Sequence, residues 1–340
     1  MTSKRYALLF LILLIAVGGL LWLKQRPEVT QGNEDQQNFA VSNPDEVSLI
    51  FMTDQSGDKQ IYLRKQPDGT WTVNNSFVAS EKRVNFLLNE TMSNLKVQGP
   101  APKAAVENVL SYMSIHGIKV EVYTSNPSAP ELVYMVGNTT PSQLGTYYKL
   151  PGDNLPMIVQ IPGFNGFLNS RYDLNEDVWI SRALFASNKD QIKSIKVSYP
   201  DSLQSFGMTK KPDGNIDFTA SLEAVNTGAV KSYFNLFGKL NFETFYNTTS
   251  DSLKNALKAK QPFCTIRLES ENRGVDELAF YQKESHEKMH GLYDKEGNEL
   301  AHDPSRFYAL SNKFKRVLIV QDYTFGKVLQ TAKDFSLRTQ

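Results

Sequence analysis

The chain has a single cysteine, Cys264, and four histidines in 340 residues. One thiol can form neither an intramolecular disulfide nor a multi-cysteine zinc cluster, and four imidazoles leave metal chemistry few ligands. The sequence also lacks an excess of charge of either sign. Its 37 Lys and Arg residues face 36 Asp and Glu, a formal net charge of +1. A dedicated nucleic-acid surface leaves a basic footprint, so no nucleic-acid partner is expected. P-loop, G-x-G-x-x-G and G-x-S-x-G sequences are absent, and no cofactor is expected. With 41% apolar and 21% charged residues, disorder is excluded and about two ordinary domains can be filled.

No long apolar run occurs after residue 23, which isolates the one that precedes it. Tyr6 to Leu23 carries no charge and lies between Lys4-Arg5 and Lys24, Arg26. At ~1.5 Å per residue, such a stretch spans roughly 27 Å, close to the hydrocarbon thickness of a bilayer. The expectation is one membrane crossing through residues 6–23, with the lipid bilayer as its partner. A cleaved signal is the alternative, since Ala16-Val17-Gly18 has the small-x-small pattern, but Leu20-Leu21-Trp22-Leu23 extends the segment past a usual signal core. Two basic residues flank each side. The short leading tail and free amino terminus favour residues 1–5 in the cytoplasm and the bulk of the chain outside it.

Residues 24–42 are polar and rich in Gln and Asn, and they read as a flexible spacer. The chain then repeats itself. Pro67-Asp68-Gly69 recurs as Pro212-Asp213-Gly214, 145 residues later, and apolar positions keep that offset: Ile50 with Ile195, Leu63 with Met208, Val73 with Phe218, Leu88 with Tyr233, Met92 with Phe237. The first copy is placed at 43–187, the second at 188–330 and a tail at 331–340. Alternation predicts strands over Val47–Met52 and Gln60–Arg64, with the Pro-Asp-Gly turn leading into a third around Trp71–Val73. Val84, Leu87, Leu88, Thr91, Met92 and Leu95 fall at helical spacing behind Ser80. A second helix is expected over Lys103–Ser114, then strands over Ile118–Tyr123, Leu132–Val136, Thr146–Leu150 and Met157–Ile161. The fold class expected is α+β: two tandem repeats of mainly antiparallel sheet, helices packed against one face, preceded by a transmembrane helix.

Two segments could carry chemistry. His286-Glu287-Lys288-Met289-His290 satisfies H-E-x-x-H, which on a helix aims two imidazoles at a zinc ion beside a glutamate base, and His302 could add a third ligand. That is the zinc-hydrolase reading. Against it, the motif lies between a strand-like run, Leu278–Tyr281, and the polar turn Asp294–Asn298, and Gly291 follows it. A hairpin loop is therefore expected, and no catalytic residue is assigned. Cys264 lies in an apolar alternating strand and is read as a core residue. The other segment, Pro162 to Tyr172 with Trp179 and Arg182, places Phe164, Asn165, Phe167, Arg171, Tyr172, Trp179 and Arg182 in one candidate binding patch, because Arg and aromatic groups on a Gly-punctuated loop suit recognition. Alternatively, Phe164, Phe167 and Leu168 staple a short helix to the sheet.

The N-terminal apolar segment, the Pro-Asp-Gly turn followed by Trp71, Pro100-Ala101-Pro102-Lys103, Gln143-Leu144-Gly145-Thr146, Ile161-Pro162-Gly163-Phe164-Asn165-Gly166 through Arg171-Tyr172, and Asp322-Tyr323-Thr324-Phe325-Gly326-Lys327 together resemble the domain-of-unknown-function 4340 family. The resemblance covers nearly everything after the spacer. It implies a bacterial single-pass protein of the inner membrane with a periplasmic domain, in an accessory role to an envelope or ABC-type transport system. The family supplies no catalytic residue. The leading expectation is thus a non-enzymatic binding or assembly module; a zinc hydrolase and a ligand receptor using the space between the two lobes are the alternatives.

Overall fold

Both Pro-Asp-Gly sequences form hairpin turns. The structure is a computed structural model that describes residues 38–124, 128–185, 191–238, 240–246, 251–271, 274–285 and 293–337. In the first turn Asp68 accepts the Thr70 amide at 2.9 Å and the Thr70 hydroxyl at 2.7 Å. In the second, Asp213 accepts the Asn215 amide at 2.9 Å. Gly69 and Gly214 take φ of 83° and 82°, a left-handed value that favours glycine. Hydrogen bonds from Thr70 and Asn215 hold both aspartates below the usual carboxylate range.

The chain divides between Ile180 and Ser181 into two units. The first contains β1 (Leu49–Thr53), β2 (Gln60–Lys65), β3 (Trp71–Val73), β4 (Phe77–Val78), α1 (Glu81–Leu88), β5 (Lys96–Pro100), α2 (Lys103–His116), β6 (Ile118–Tyr123), β7 (Leu132–Thr139), β8 (Thr146–Lys149), β9 (Met157–Gln160) and α3 (Glu176–Trp179). The second contains β10 (Ile192–Ser198), β11 (Phe206–Lys210), β12 (Ile216–Thr219), α4 (Thr227–Phe234), β13 (Thr244–Phe245), α5 (Ser252–Lys258), β14 (Cys264–Ser270), β15 (Gly274–Glu284), β16 (His302–Ser311), β17 (Leu318–Gln321) and α6 (Asp322–Phe325).

The strand order is β4-β3-β2-β1-β6-β7-β8-β9-β5 in the first unit and β12-β11-β10-β14-β15-β16-β17-β13 in the second. Without the two-residue β4 the orders correspond strand for strand, and the pairings are antiparallel. The 145-residue offset of the sequence is therefore an offset between like positions of two like sheets. The division lies upstream of the 187/188 boundary read from the repeat, because Ile180 still bridges Ala79 of the first sheet while Ala183 bridges Asn241 of the second.

Each sheet buries side chains on both faces, and in the second unit helices lie against both, which corrects the expectation of helices on one side only. In the first unit Tyr134 and Tyr148 point toward Tyr172 and Phe39, whereas the alternate residues Met135 and Tyr147 meet Val109 and Met113 of α2. The second unit repeats the division. Phe280 packs on Phe325, and the adjacent Tyr281 lies with Leu257 of α5, Tyr308 and Val317. A strand with alternate side chains buried on opposite faces reads as an apolar run, which conceals the second layer.

Two local differences from the sequence reading have simple causes. The helix expected through Leu95 ends at Leu88, because the Thr91 hydroxyl takes the Phe86 carbonyl at 3.0 Å and the Ser93 hydroxyl takes that of Leu88 at 2.9 Å. The spacer also ends early. Phe39 and Val41 are buried, and the Val41 amide donates to the Met92 carbonyl at 3.0 Å, so the folded domain includes residues assigned to 24–42. Two isolated apolar residues in a polar stretch carry no period to reveal this. The apolar segment 6–23 lies outside the described residues. Among the described residues no helix is long and apolar enough to cross a membrane.

Candidate functional site: an arginine pocket in the first unit

The segment from Pro162 to Trp179 runs from the end of β9 to the end of α3 and closes the first unit. Its alternation of glycines, aromatics and polar residues sorts by burial. Leu168, Tyr172 and Trp179 face inward, with 1%, 0% and 2% exposure. The Leu168 amide donates to the Thr146 hydroxyl at 2.9 Å, and the Trp179 indole N–H donates to the Asp173 carbonyl at 2.8 Å. The Tyr172 hydroxyl lies 3.1 Å from that of Tyr134 and 3.2 Å from that of Tyr148. These anchors leave Asn165 and Phe167 outside and Phe164 and Arg171 half-buried at the rim.

Arg171 is held on three sides. Its guanidinium carbon lies 4.2 Å from the centroid of Phe164 and 4.7 Å from that of Phe86, so aromatic rings stack on the charge from two residues 78 positions apart. Its Nη1 donates to the Thr91 hydroxyl at 2.9 Å and to the Glu90 carbonyl at 3.4 Å. Desolvation lowers the Arg171 pKa from its ordinary value, yet a guanidinium remains protonated at any physiological pH. Nε and Nη2 have no hydrogen-bond partner among the described residues, which leaves one edge of the fork open.

That side chain lines a cavity of about 310 Å³ together with Arg83, Phe86, Phe164, Phe167 and Asp173, with Trp179 in its wall. Phe86 and Phe167 are 42% and 46% exposed, a pair of large apolar side chains bordering one concavity. Asp173 accepts the Asn175 amide at 2.8 Å through Oδ1. A broader cleft of about 830 Å³ shares Ser170 and Asp173 with the pocket and adds Asp54, His116 and Glu176. Its acidic groups are engaged locally: Asp54 accepts from Ser56 at 3.2 Å, and Glu176 accepts from Asn74 at 2.8 Å. The smaller cavity combines open donors with apolar surface and is the better candidate for a ligand.

Four of the seven residues proposed from the sequence thus line this place, in different ways. Phe164, Phe167 and Arg171 line the pocket. Trp179 contributes to its wall from the core, whereas Tyr172 belongs to the buried tyrosine cluster and lines the broader cleft instead. Asn165 is exposed beside Phe164, outside the lining. Arg182 belongs to the second unit, where its Nη1 donates to the Glu243 carbonyl at 2.5 Å. Arg83, Phe86 and Asp173 were missed. Phe86 does carry a signal, being an apolar residue off the buried Val84, Leu87, Leu88 stripe of α1.

The H-E-x-x-H motif, residues 286–290, lies outside the described residues. The described strands on either side, β15 and β16, pair antiparallel, with Glu284 opposite His302 at the start of β16. His302 is exposed, and among the described residues no group of three or more His, Cys, Asp or Glu side chains is placed to hold a metal ion. Comparison of the chain with known protein families, with curated proteins and with solved structures finds no match.

Proposed function

We propose that this protein is a non-enzymatic binding or assembly module, held at a bacterial inner membrane by residues 6–23 with its two sheet units outside the cytoplasm, and accessory to an envelope or ABC-type transport system. The location rests on the apolar segment and on the resemblance to the domain-of-unknown-function 4340 family. The binding role is supported by one observation above all: Arg171, packed on the rings of Phe86 and Phe164, borders a cavity with Arg83 and the exposed Phe167. A charge packed on aromatic rings with donors left free is an arrangement suited to recognising a partner group, since arginine and aromatic residues are enriched among the residues that carry interface energy.

The test is purification of the intact protein in mild detergent from its own membrane, followed by identification of associated membrane proteins. A transport-system component should co-purify with the wild type and be depleted at least about tenfold by Phe167→Asp, which puts a charge at the pocket mouth without touching the core. Reproducible absence of any membrane protein, or equal recovery with Phe167→Asp, would overturn the reading.

A further inference from the structure

The ligand that suits this pocket can be narrowed by chemistry; this step rests on the binding role just proposed. The Arg171 guanidinium packs on the rings of Phe86 and Phe164, and Nη1 is tied to Thr91 and Glu90. The donors left for a partner are those of the edge that carries Nε and Nη2. That edge offers two parallel N–H donors, the geometry that matches the two oxygens of a carboxylate. Arg83 adds a second positive charge, and its guanidinium has no ion-pair or hydrogen-bond partner among the described residues. Asp173 subtracts one charge. The lining is then one positive charge in excess, and the Glu90 carboxylate, which acts on Arg171 from outside the lining, reduces it further, so a monoanion is favoured over a phosphate dianion.

The remainder of the cavity sets the rest of the ligand. Phe86, Phe164 and Phe167 give an apolar flank, and about 310 Å³ is at the small end of ligand pockets, enough for one amino-acid residue and little more. Asp173 is bonded through Oδ1 only, and Oδ2 is available to accept one N–H. We infer that the pocket binds the terminal carboxylate of a peptide whose last residue is apolar: the carboxylate on the arginine edge, the side chain against the three phenylalanines, and the last amide N–H toward Asp173.

Calorimetric titration of the full-length protein in detergent with N-acetylphenylalanine and with its primary amide tests this. The acid should bind saturably and at least about tenfold more tightly than the amide, because only the acid makes charge-assisted paired hydrogen bonds. Arg171→Lys keeps the charge but loses the fork, and should weaken the acid by about tenfold or more. Arg83→Gln, on an exposed position of α1 where folding is not at stake, should weaken it several-fold. Four outcomes would overturn the inference: no saturable binding of the acid, an amide within twofold of the acid, Arg83→Gln and Arg171→Lys both binding as wild type does, or inorganic phosphate displacing the acid at equal concentration. Any of these with co-purification of the membrane partner intact would remove the carboxylate assignment and leave the assembly role standing.

Discussion

The hydroxyls of Tyr134 and Tyr172 lie 3.1 Å apart in the core of the first unit, where both residues are 0% exposed. Tyr148 completes the group at 3.2 Å from Tyr172. Tyr172 is thus shared between two strand tyrosines, and the three phenols satisfy one another. Burial raises the pKa of all three, that of Tyr172 to about 12. Tyr172→Phe keeps the ring and its edge contacts but removes the shared hydroxyl. It should cost about 1–3 kcal/mol, the penalty for leaving buried hydroxyls without their partner. Urea denaturation should show a lower midpoint with an unchanged slope.

The second layer of the first unit depends on a residue with no side chain. A Cβ at Gly137 would stand 2.5 Å from Cε and 3.0 Å from Cγ of Met113, and 3.2 Å from the Tyr147 carbonyl oxygen. Gly137→Ala should therefore force the Met113 side chain to repack against β7 and destabilise by roughly 1–3 kcal/mol, as overpacking does. Met113→Ala alone should destabilise by about 2–5 kcal/mol through the cavity it leaves. The two together should cost less than the sum, since the new methyl occupies space the methionine has vacated; strict additivity in a thermal or urea cycle would show that the clash is elsewhere.

The like caps of the two units predict unlike outcomes. Ser80 precedes α1, and its amide donates to the Trp179 carbonyl at 2.6 Å; Asn226 precedes α4, and its amide donates to the Phe335 carbonyl at 2.8 Å. Only Asn226 also caps with its side chain, Oδ1 accepting the Ala229 amide at 3.1 Å. Asn226→Ala should cost ~1 kcal/mol and Ser80→Ala a few tenths. Equal losses measured by denaturation would mean that the serine hydroxyl caps α1 in solution.

These positions also show what the sequence could disclose. Turn chemistry is local, so the two Pro-Asp-Gly hairpins and the offset between them were readable, and strands with a strong two-residue period, such as β6 and β14, fell where expected. β5 contains Gly99 and Pro100, which hide a strand, and β13 is two residues long. The pocket was readable only in half. Phe164, Phe167 and Arg171 lie close in sequence, but Arg83 and Phe86 come from a helix some eighty positions earlier, and no local spacing ties them together. Tyr172 and Trp179 were grouped with the surface because tyrosine and tryptophan suit a recognition patch and a core equally well. Their phenol and indole groups do find partners, in Tyr134, Tyr148 and the Asp173 carbonyl, but inside the unit.

Cys264 gives a prediction in pH. The thiol is 0% exposed at the start of β14, opposite Phe280. Burial pushes its pKa up to about 12, against the opposing effect of a hydrogen bond with Tyr199. Below the ordinary thiol value of 9.0 the group is neutral in the folded and unfolded chain alike, and its stabilising contribution is fully present. Between that value and about 12 the unfolded chain releases the proton and the folded chain keeps it, so stability falls as pH rises across this window. Cys264→Ala should flatten part of that alkaline decline, leaving the share due to the buried phenols. In the native protein at pH 8 a disulfide reagent should modify the thiol slowly, at a rate set by opening of the second unit, and in denaturant at once, since only an accessible thiolate attacks. Rapid stoichiometric labelling without denaturant would place Cys264 outside the core and remove the basis for the alkaline prediction.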